Sequence, residues 1–203
     1  MVTTSPERFA ALTDAAIALI AEGGMRGLTH RAVDARAGLP AGTASAYLRT
    51  RKALIEAVVR RLAELDTADL AARDVPAGPV GAAPDLPALA AGIAGVLDDW
   101  LTTGRARTLA RYACLLEATH HPELRPILAH GVAMRTQARA LLAAAGAPDV
   151  QRRAGHLVAA IDGLLFDRLA GAGSLAAPEP GTAGSRADLT AAVRGLLRAA
   201  VAP

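Results

Sequence analysis

The sequence predicts an all-α fold. Alanine and leucine are abundant along the chain while β-branched residues are sparse, a composition that favours helix. Apolar residues recur at three- and four-residue spacing, the period of a helix with one buried face. Some 52% of the residues are apolar but only 2% are aromatic, so the core must be built from Ala, Leu and Val. Two hundred and three residues suffice for one or two domains. About nine helices are expected from the periodic segments and their breaks.

The first helix starts at Pro6 and Glu7, behind Ser5 as an N-cap with proline in the first turn. Phe9, Leu12, Ala16 and Leu19 recur at helical spacing, with Ile17 and Ile20 beside them. Gly23-Gly24 is expected to stop it. Thr29 is a natural N-cap for a second helix with Ala32, Val33 and Ala37 on its inner side. Gly38 supplies a turn and Leu39 plugs the small core. Gly42-Thr43 opens a very short third helix, and Leu48 is its last inward residue. Thr50 then caps a fourth helix running to about Ala72. The Pro/Gly/Ala stretch from Arg73 to Pro87 reads as a loop or linker. Helices follow over Leu86–Thr103, Arg105–Thr119, Glu123–Ala145, Asp149–Ala170 and Arg186–Ala202. They are separated by His120-His121-Pro122, by Gly146 to Asp149, and by a loop from Gly171 to Ser185. The preceding long helix carries Leu157, Ile161, Leu164, Leu165 and Leu169. The last carries Leu189, Val193, Leu196, Leu197 and Val201.

The stretch GLPAGTASAYLRTRKAL (Gly38–Leu54), behind LTHRAVDARA (Leu28–Ala37), has the order helix, tight turn, very short helix, helix start. A helix so short cannot stand alone, because nucleation is costly. Held by packing, it leaves an outer face of small and polar residues, Thr43, Ser45, Ala46 and Tyr47. A helix-turn-helix of this kind lays its second helix in the major groove of DNA. Over roughly residues 6–60 the arrangement resembles the DNA-binding domain of the tetracycline-repressor (TetR) family of transcription regulators.

The resemblance implies roles for particular positions. Thr29, Thr43, Ser45, Tyr47 and Arg51 fall where family members contact phosphates, and Arg31, Ala41, Gly42 and Ala46 where they approach base edges. Arg31 is the candidate for reading a guanine, since its fork matches the O6/N7 edge. Ser45 and Leu48 depart from the Tyr and Phe most frequent in the family. The resemblance further implies a DNA-binding domain over residues 1–52 and a helical domain for ligand binding and dimerisation over 53–203. The last two long helices of such proteins pair with their counterparts in a four-helix bundle. The expected partners are then double-stranded DNA with a palindromic operator, a second copy of the chain and a small-molecule effector, with release from DNA by the effector. No cofactor is expected. The alternative is a helical dimeric small-molecule-binding protein without specific DNA recognition.

Charge is consistent with a nucleic-acid partner. The net charge is +3, and residues 1–52 hold seven Arg/Lys (positions 8, 26, 31, 36, 49, 51 and 52) against four Asp/Glu (positions 7, 14, 22 and 34). Cys114 is the lone cysteine, which excludes an intramolecular disulfide framework and points to a reducing cytoplasm. No basic-then-apolar leader pattern and no apolar span of about 20 residues is seen, so no membrane partner is expected. An enzyme is not expected either: the chain has no phosphate-binding Gly-rich loop ending in Lys-Ser/Thr and no nucleophile elbow.

For an effector pocket the candidates are the unusual side chains expected on inner faces of the middle helices: Trp100, Tyr112, Leu116, His120, Met134, Asp162 and Phe166. Aromatic and Met side chains suit an apolar pocket with a few polar groups. Cys114, Glu117, His120, His121, His130 and His156 are metal-ligand types, with Glu117 and His121 at i,i+4. They form no H-x-x-x-H or C-x-x-C pattern, so no metal is expected.

Overall fold

In a computed structural model of the chain, residues 5–72, 84–121 and 130–202 are described. Among them are ten helices and no strand: α1 (Pro6–Gly27), α2 (His30–Arg36), α3 (Thr43–Tyr47), α4 (Arg51–Ala72), α5 (Leu86–Leu101), α6 (Arg105–His120), α7 (His130–Ala144), α8 (Val150–Ala170), α9 (Gly173–Ala176) and α10 (Ala183–Val201). Residues 73–83 of the expected Arg73–Pro87 linker and the expected start of the seventh helix at Glu123 lie outside the described residues, while Leu86 and Pro87 already belong to α5. No helix among the described residues is long and apolar enough to cross a membrane.

The chain divides into two compact units, one within residues 1–67 and 106–129, the other within 68–105 and 130–203. In the first, Leu12, Ala16, Ile17 and Ile20 of α1 meet Leu28, Val33, Ala44 and Leu48 and the α4 residues Leu54, Val58 and Leu62. Ala110, Cys114 and Ala118 of α6 complete the same core. Leu54, Val58 and Leu62 are four apart and make one buried stripe. For that reason the unit extends beyond Lys52, where the sequence suggests a boundary. Burial, with Glu117 adding to it, pushes the Cys114 thiol up to about 12.

Gly23-Gly24 kinks α1 instead of ending it. Gly24 takes φ 64° and ψ −169°, after which one more turn runs to Gly27. Only a residue without Cβ enters that region at low cost.

In the second unit α5 lies against α10, α7 against α8, and α8 against both α5 and α10. Leu89, Ala90, Ala94, Val96, Leu97, Trp100 and Leu101 of α5 are buried, as are Leu189, Val193, Leu197 and Ala200 of α10. Alanines at the contact let two helix axes approach closely. The α10 stripe therefore serves the chain's own core. Leu189, Val193 and Leu197, which the resemblance assigns in part to a subunit interface, are fully enclosed within the single chain, while Leu196 is half-buried.

α10 starts three residues earlier than the sequence suggests. Thr182 caps it, its hydroxyl accepting from the Ser185 N–H at 3.1 Å, and so Gly184 and Ser185 are helical although their types favour a loop. The same expected loop also holds the single turn α9, which raises the helix number from nine to ten.

Asp98 fixes this end of α10. It is fully buried in α5, and its Oδ1 accepts from Gly181 N (2.8 Å) and Ser185 Oγ (2.8 Å), its Oδ2 from Arg186 Nε (2.9 Å). Burial pushes this carboxyl up, but the three donors and the Arg186 charge outweigh it and leave it below the ordinary carboxylate range. At the far end of α10, Arg153 Nη1 donates to the carbonyls of Ala199, Ala200 and Ala202. Arg168 of α8 pairs with Asp188 of α10.

Replacing Asp98 by Ala strands a buried hydroxyl and a backbone N–H, and we expect a loss of about 1–3 kcal/mol in thermal melts at pH 7. A carboxyl held below its unfolded value stabilises the fold above the ordinary carboxylate range, and that contribution disappears as pH falls through the folded value. The gap between wild type and Asp98→Ala should therefore narrow below about pH 4. A gap that stays constant to pH 2 would show that the Asp98 charge contributes nothing.

Candidate nucleic-acid interface

The sequence from Thr29 to Thr50 folds as two helices and a turn because each helix end finds a partner close by. Thr29 Oγ1 accepts from Ala32 N at 3.1 Å and opens α2. Gly38 (φ 64°) then turns the chain, with Leu39 N donating to Asp34 O at 2.9 Å. Gly42 (φ 91°) is the N-cap residue of α3. Thr43 Oγ1 donates to Pro40 O at 2.6 Å. Thr50 Oγ1 accepts from Ala53 N at 3.0 Å and opens α4.

Two contacts from α2 have no counterpart in the sequence reading. Asp34, 2% exposed, accepts from Gly42 N at 2.7 Å and from Ala44 N at 2.6 Å. His30 Nε2 lies 2.5 Å from Leu48 O. A carbonyl only accepts, so Nε2 carries the hydrogen and donates. An acid on the inner side of a helix that is followed by a glycine turn is the signal that could have pointed to Asp34, since the first N–H groups of the next helix lack partners.

The outer face is open. Arg31, Ala41, Gly42, Ser45 and Ala46 are all exposed, and Thr43 is half-buried. Among the described residues Arg31 and Arg49 have no hydrogen-bond or ion-pair partner. Arg36 is held in a two-bond pair with Glu22 (2.9 and 2.7 Å) and Arg61 in one with Asp14 (2.8 and 3.1 Å). Arg51 is exposed, yet Nη1 donates to Leu28 O and Nη2 to Met25 O, each at 2.6 Å. Those bonds use two of its five N–H donors and tie the start of α4 to the end of α1.

Tyr47 does not share the outer face. It lies one turn after the fully buried Ala44, so its ring packs against the core. Its Oη is buried with no hydrogen-bond partner among the described residues.

The seven pocket candidates are divided between the two units. Tyr112, Leu116 and His120 belong to the first unit, and Trp100, Met134, Asp162 and Phe166 to the second. Trp100 is 5% exposed and belongs to the core of its unit. Leu116, His120, Asp162 and Phe166 are exposed, not on inner faces. The helical period explains this: Leu116 sits midway between the buried Cys114 and Ala118, and Phe166 follows the buried Leu165. Tyr112 and Met134 are half-buried. Among the described residues, one concavity of about 300 Å³ lies against Asp14, Ile17, Arg61, Leu65 and Arg107, and another of about 200 Å³ against Arg168, Ser174 and Glu179. None of the seven candidates lines either. Glu117 and His121 do approach, at 3.6 Å, but no three metal-ligand side chains cluster among the described residues. His130, one of the metal-ligand types, has its side chain outside the described residues.

Known proteins resemble the chain in sequence and in fold. The family model for bacterial regulatory proteins of the tetR family matches residues 12–58, and that for the tetracyclin repressor-like C-terminal domain matches residues 84–199. No match was found among curated proteins. Several solved structures are similar over nearly the whole chain. The multidrug binding protein EbrR complexed with imidazole is 30% identical, with 93% of this chain and 96% of that one covered and a TM-score of 0.63. A member of the TetR family from Streptomyces coelicolor A3 is also 30% identical, covering 92% and 98%, with a TM-score of 0.68. A transcriptional regulator from Rhodococcus sp. Rha1 is 27% identical, covering 98% and 100%, with a TM-score of 0.71. With both family models matched in their expected order around a helix-turn-helix whose outer face is open, the chain belongs to the TetR family of DNA-binding transcription regulators.

Proposed function

We propose that the protein is a repressor that binds a palindromic operator as a homodimer and releases it when a small hydrophobic molecule binds. The open face of α2 and α3 carries the reading: Arg31, Ala41, Gly42, Ser45 and Ala46 are exposed on it, and Arg31 has no partner within the described chain. An unpaired guanidinium on a helix beside the recognition helix suits bidentate contact with a guanine edge. Thr29, whose hydroxyl accepts from Ala32 N and keeps its own hydrogen, and Ser45 carry hydroxyls that suit phosphate oxygens, while Thr43 would first have to release Pro40 O. Residues 1–52 make the DNA contacts in this reading, and residues 53–203 serve regulation and dimerisation. It assigns neither a cofactor nor a chemical turnover, and it places the protein in the cytoplasm with its DNA.

Dimerisation is supported by the outward faces of the two long helices of the second unit. Ala159 and Gly163 on α8, and Ala187, Ala191 and Gly195 on α10, are exposed at helical spacing. A Cβ added at Gly163 or Gly195 would meet nothing within 4 Å. Small residues in such rows let a second copy approach closely, and two recognition helices can then be set about 34 Å apart to match successive major grooves. EbrR, also solved with ethidium (28% identical, TM-score 0.66) and with malachite green (27%, 0.67), supports an effector of aromatic character.

Three measurements check this reading. Arg31→Ala should weaken binding to a duplex selected by the wild-type protein by about 1–3 kcal/mol and relax the preference at one base pair per half-site. An equal loss on every sequence would make Arg31 a phosphate contact only. Gly163→Arg should keep the helical content of wild type, since a Cβ there meets nothing within the chain, while sedimentation shows a monomer and operator affinity falls. A dimer that persists at micromolar concentration would remove this face of α8 from the interface. An effector that releases the operator should alter the emission of Trp100, the single tryptophan of the chain. Unaltered emission with such an effector would place its site away from that indole.

A further inference from the structure

α3 has five residues, Thr43–Tyr47, too few to hold a helix by its own hydrogen bonds. Its first N–H groups and last carbonyls have no intrahelical partners. Both ends are met by side chains of one neighbouring helix. At the N-terminal end the Asp34 carboxylate accepts from Gly42 N and Ala44 N, one bond to each oxygen. At the other end the His30 ring donates to Leu48 O at 2.5 Å. His30 and Asp34 are four apart on α2 and so share a face. Asp34 is buried and His30 half-buried, while Ser45 and Ala46 on the outer surface of α3 are exposed.

We propose that His30 and Asp34 are positioning residues for DNA reading: α2 grips α3 at both ends and sets its angle in the groove, without either side chain touching DNA. The reasoning rests on the DNA-binding function proposed above. The two ends are not equivalent. Asp34 uses both oxygens as acceptors, so an amide cannot replace it fully, because the –NH₂ of Asn would face an N–H donor. His30 supplies one N–H, so any side chain that places a donor at the same point can replace it. Base readout depends on the placement of α3 to a fraction of an ångström, whereas attraction to phosphates depends mainly on net charge. Loosening the grip should therefore lower affinity for a specific duplex relative to random duplex, whereas the charge removed in Asp34→Asn acts on both duplexes alike.

The test uses the full-length protein and a duplex selected by wild type from random sequence, compared with a random duplex of equal length. Asp34→Asn and His30→Phe should each lower the ratio of selected to random affinity about tenfold, as about 1.4 kcal/mol would. His30→Gln, which restores a donor near Nε2, should recover most of that ratio. In the free protein, amide hydrogen exchange at Gly42 and Ala44 should speed up in Asp34→Asn, with exchange across α5 and α10 unchanged. If both affinities fall together with the melting temperature, and His30→Gln behaves like His30→Phe, the two residues serve stability alone and the proposal is wrong. Unchanged ratios with unchanged exchange at Gly42 and Ala44 would overturn it equally. If wild type selects no duplex at all, the repressor reading fails instead, and the exchange measurement alone then decides whether Asp34 holds α3.

Discussion

A recognition helix of five residues has no stability of its own, and the first unit is organised around that constraint. The chain must supply from outside what a longer helix supplies from within. Asp34 and His30 provide hydrogen bonds at the two ends. Ala44 and Leu48 provide anchoring, buried beside Val33 and Leu54. Arg51 closes the circuit by bonding the carbonyls of Met25 and Leu28, so that the end of α1 and the start of α4 hold the base of the motif. The part left exposed is small, which is what close approach to a groove requires.

The second unit meets a different constraint. Its core is built from aliphatic side chains such as Leu89, Leu97, Leu165, Leu189 and Leu197, with the small Ala90, Ala94 and Ala200 buried among them. Apolar burial alone would fix the angle of α10 only loosely. Asp98 adds direction at one end and Arg153 at the other, through bonds whose geometry is narrow. Burying a carboxylate is unfavourable unless it is paired and hydrogen-bonded. Here a backbone N–H, a hydroxyl and a guanidinium converge on it.

Much of this was legible in the sequence where a residue type has a local meaning. Thr29 and Thr50 cap α2 and α4, Gly38 and Gly42 take positive φ, and the helix-turn-helix lies where its motif is read. What escaped were contacts made through space. Asp34 looks like an ordinary polar residue on a helix until Gly42 and Ala44 are brought round to it by the turn. Tyr47 looks suited to an outer face until its period relative to Ala44 is counted. Gly184 and Ser185 read as loop because their types favour turns, while the Thr182 hydroxyl three residues upstream makes them helix. The α10 stripe shows the limit of periodicity: it says that Leu189, Val193 and Leu197 face something apolar, but not whether that surface is α5 or another copy of the chain.

The state of Cys114 has a practical consequence. The chain holds a single thiol, 1% exposed and with its pKa raised to about 12, and so almost no thiolate is present at neutral pH to meet a maleimide or iodoacetamide. The natural sequence thus behaves towards such reagents nearly as a cysteine-free background. A cysteine introduced on an exposed position of α3 or α8 would be the dominant labelling site. Spin labels or dye pairs could then report distances between copies of the chain without any mutation in the core.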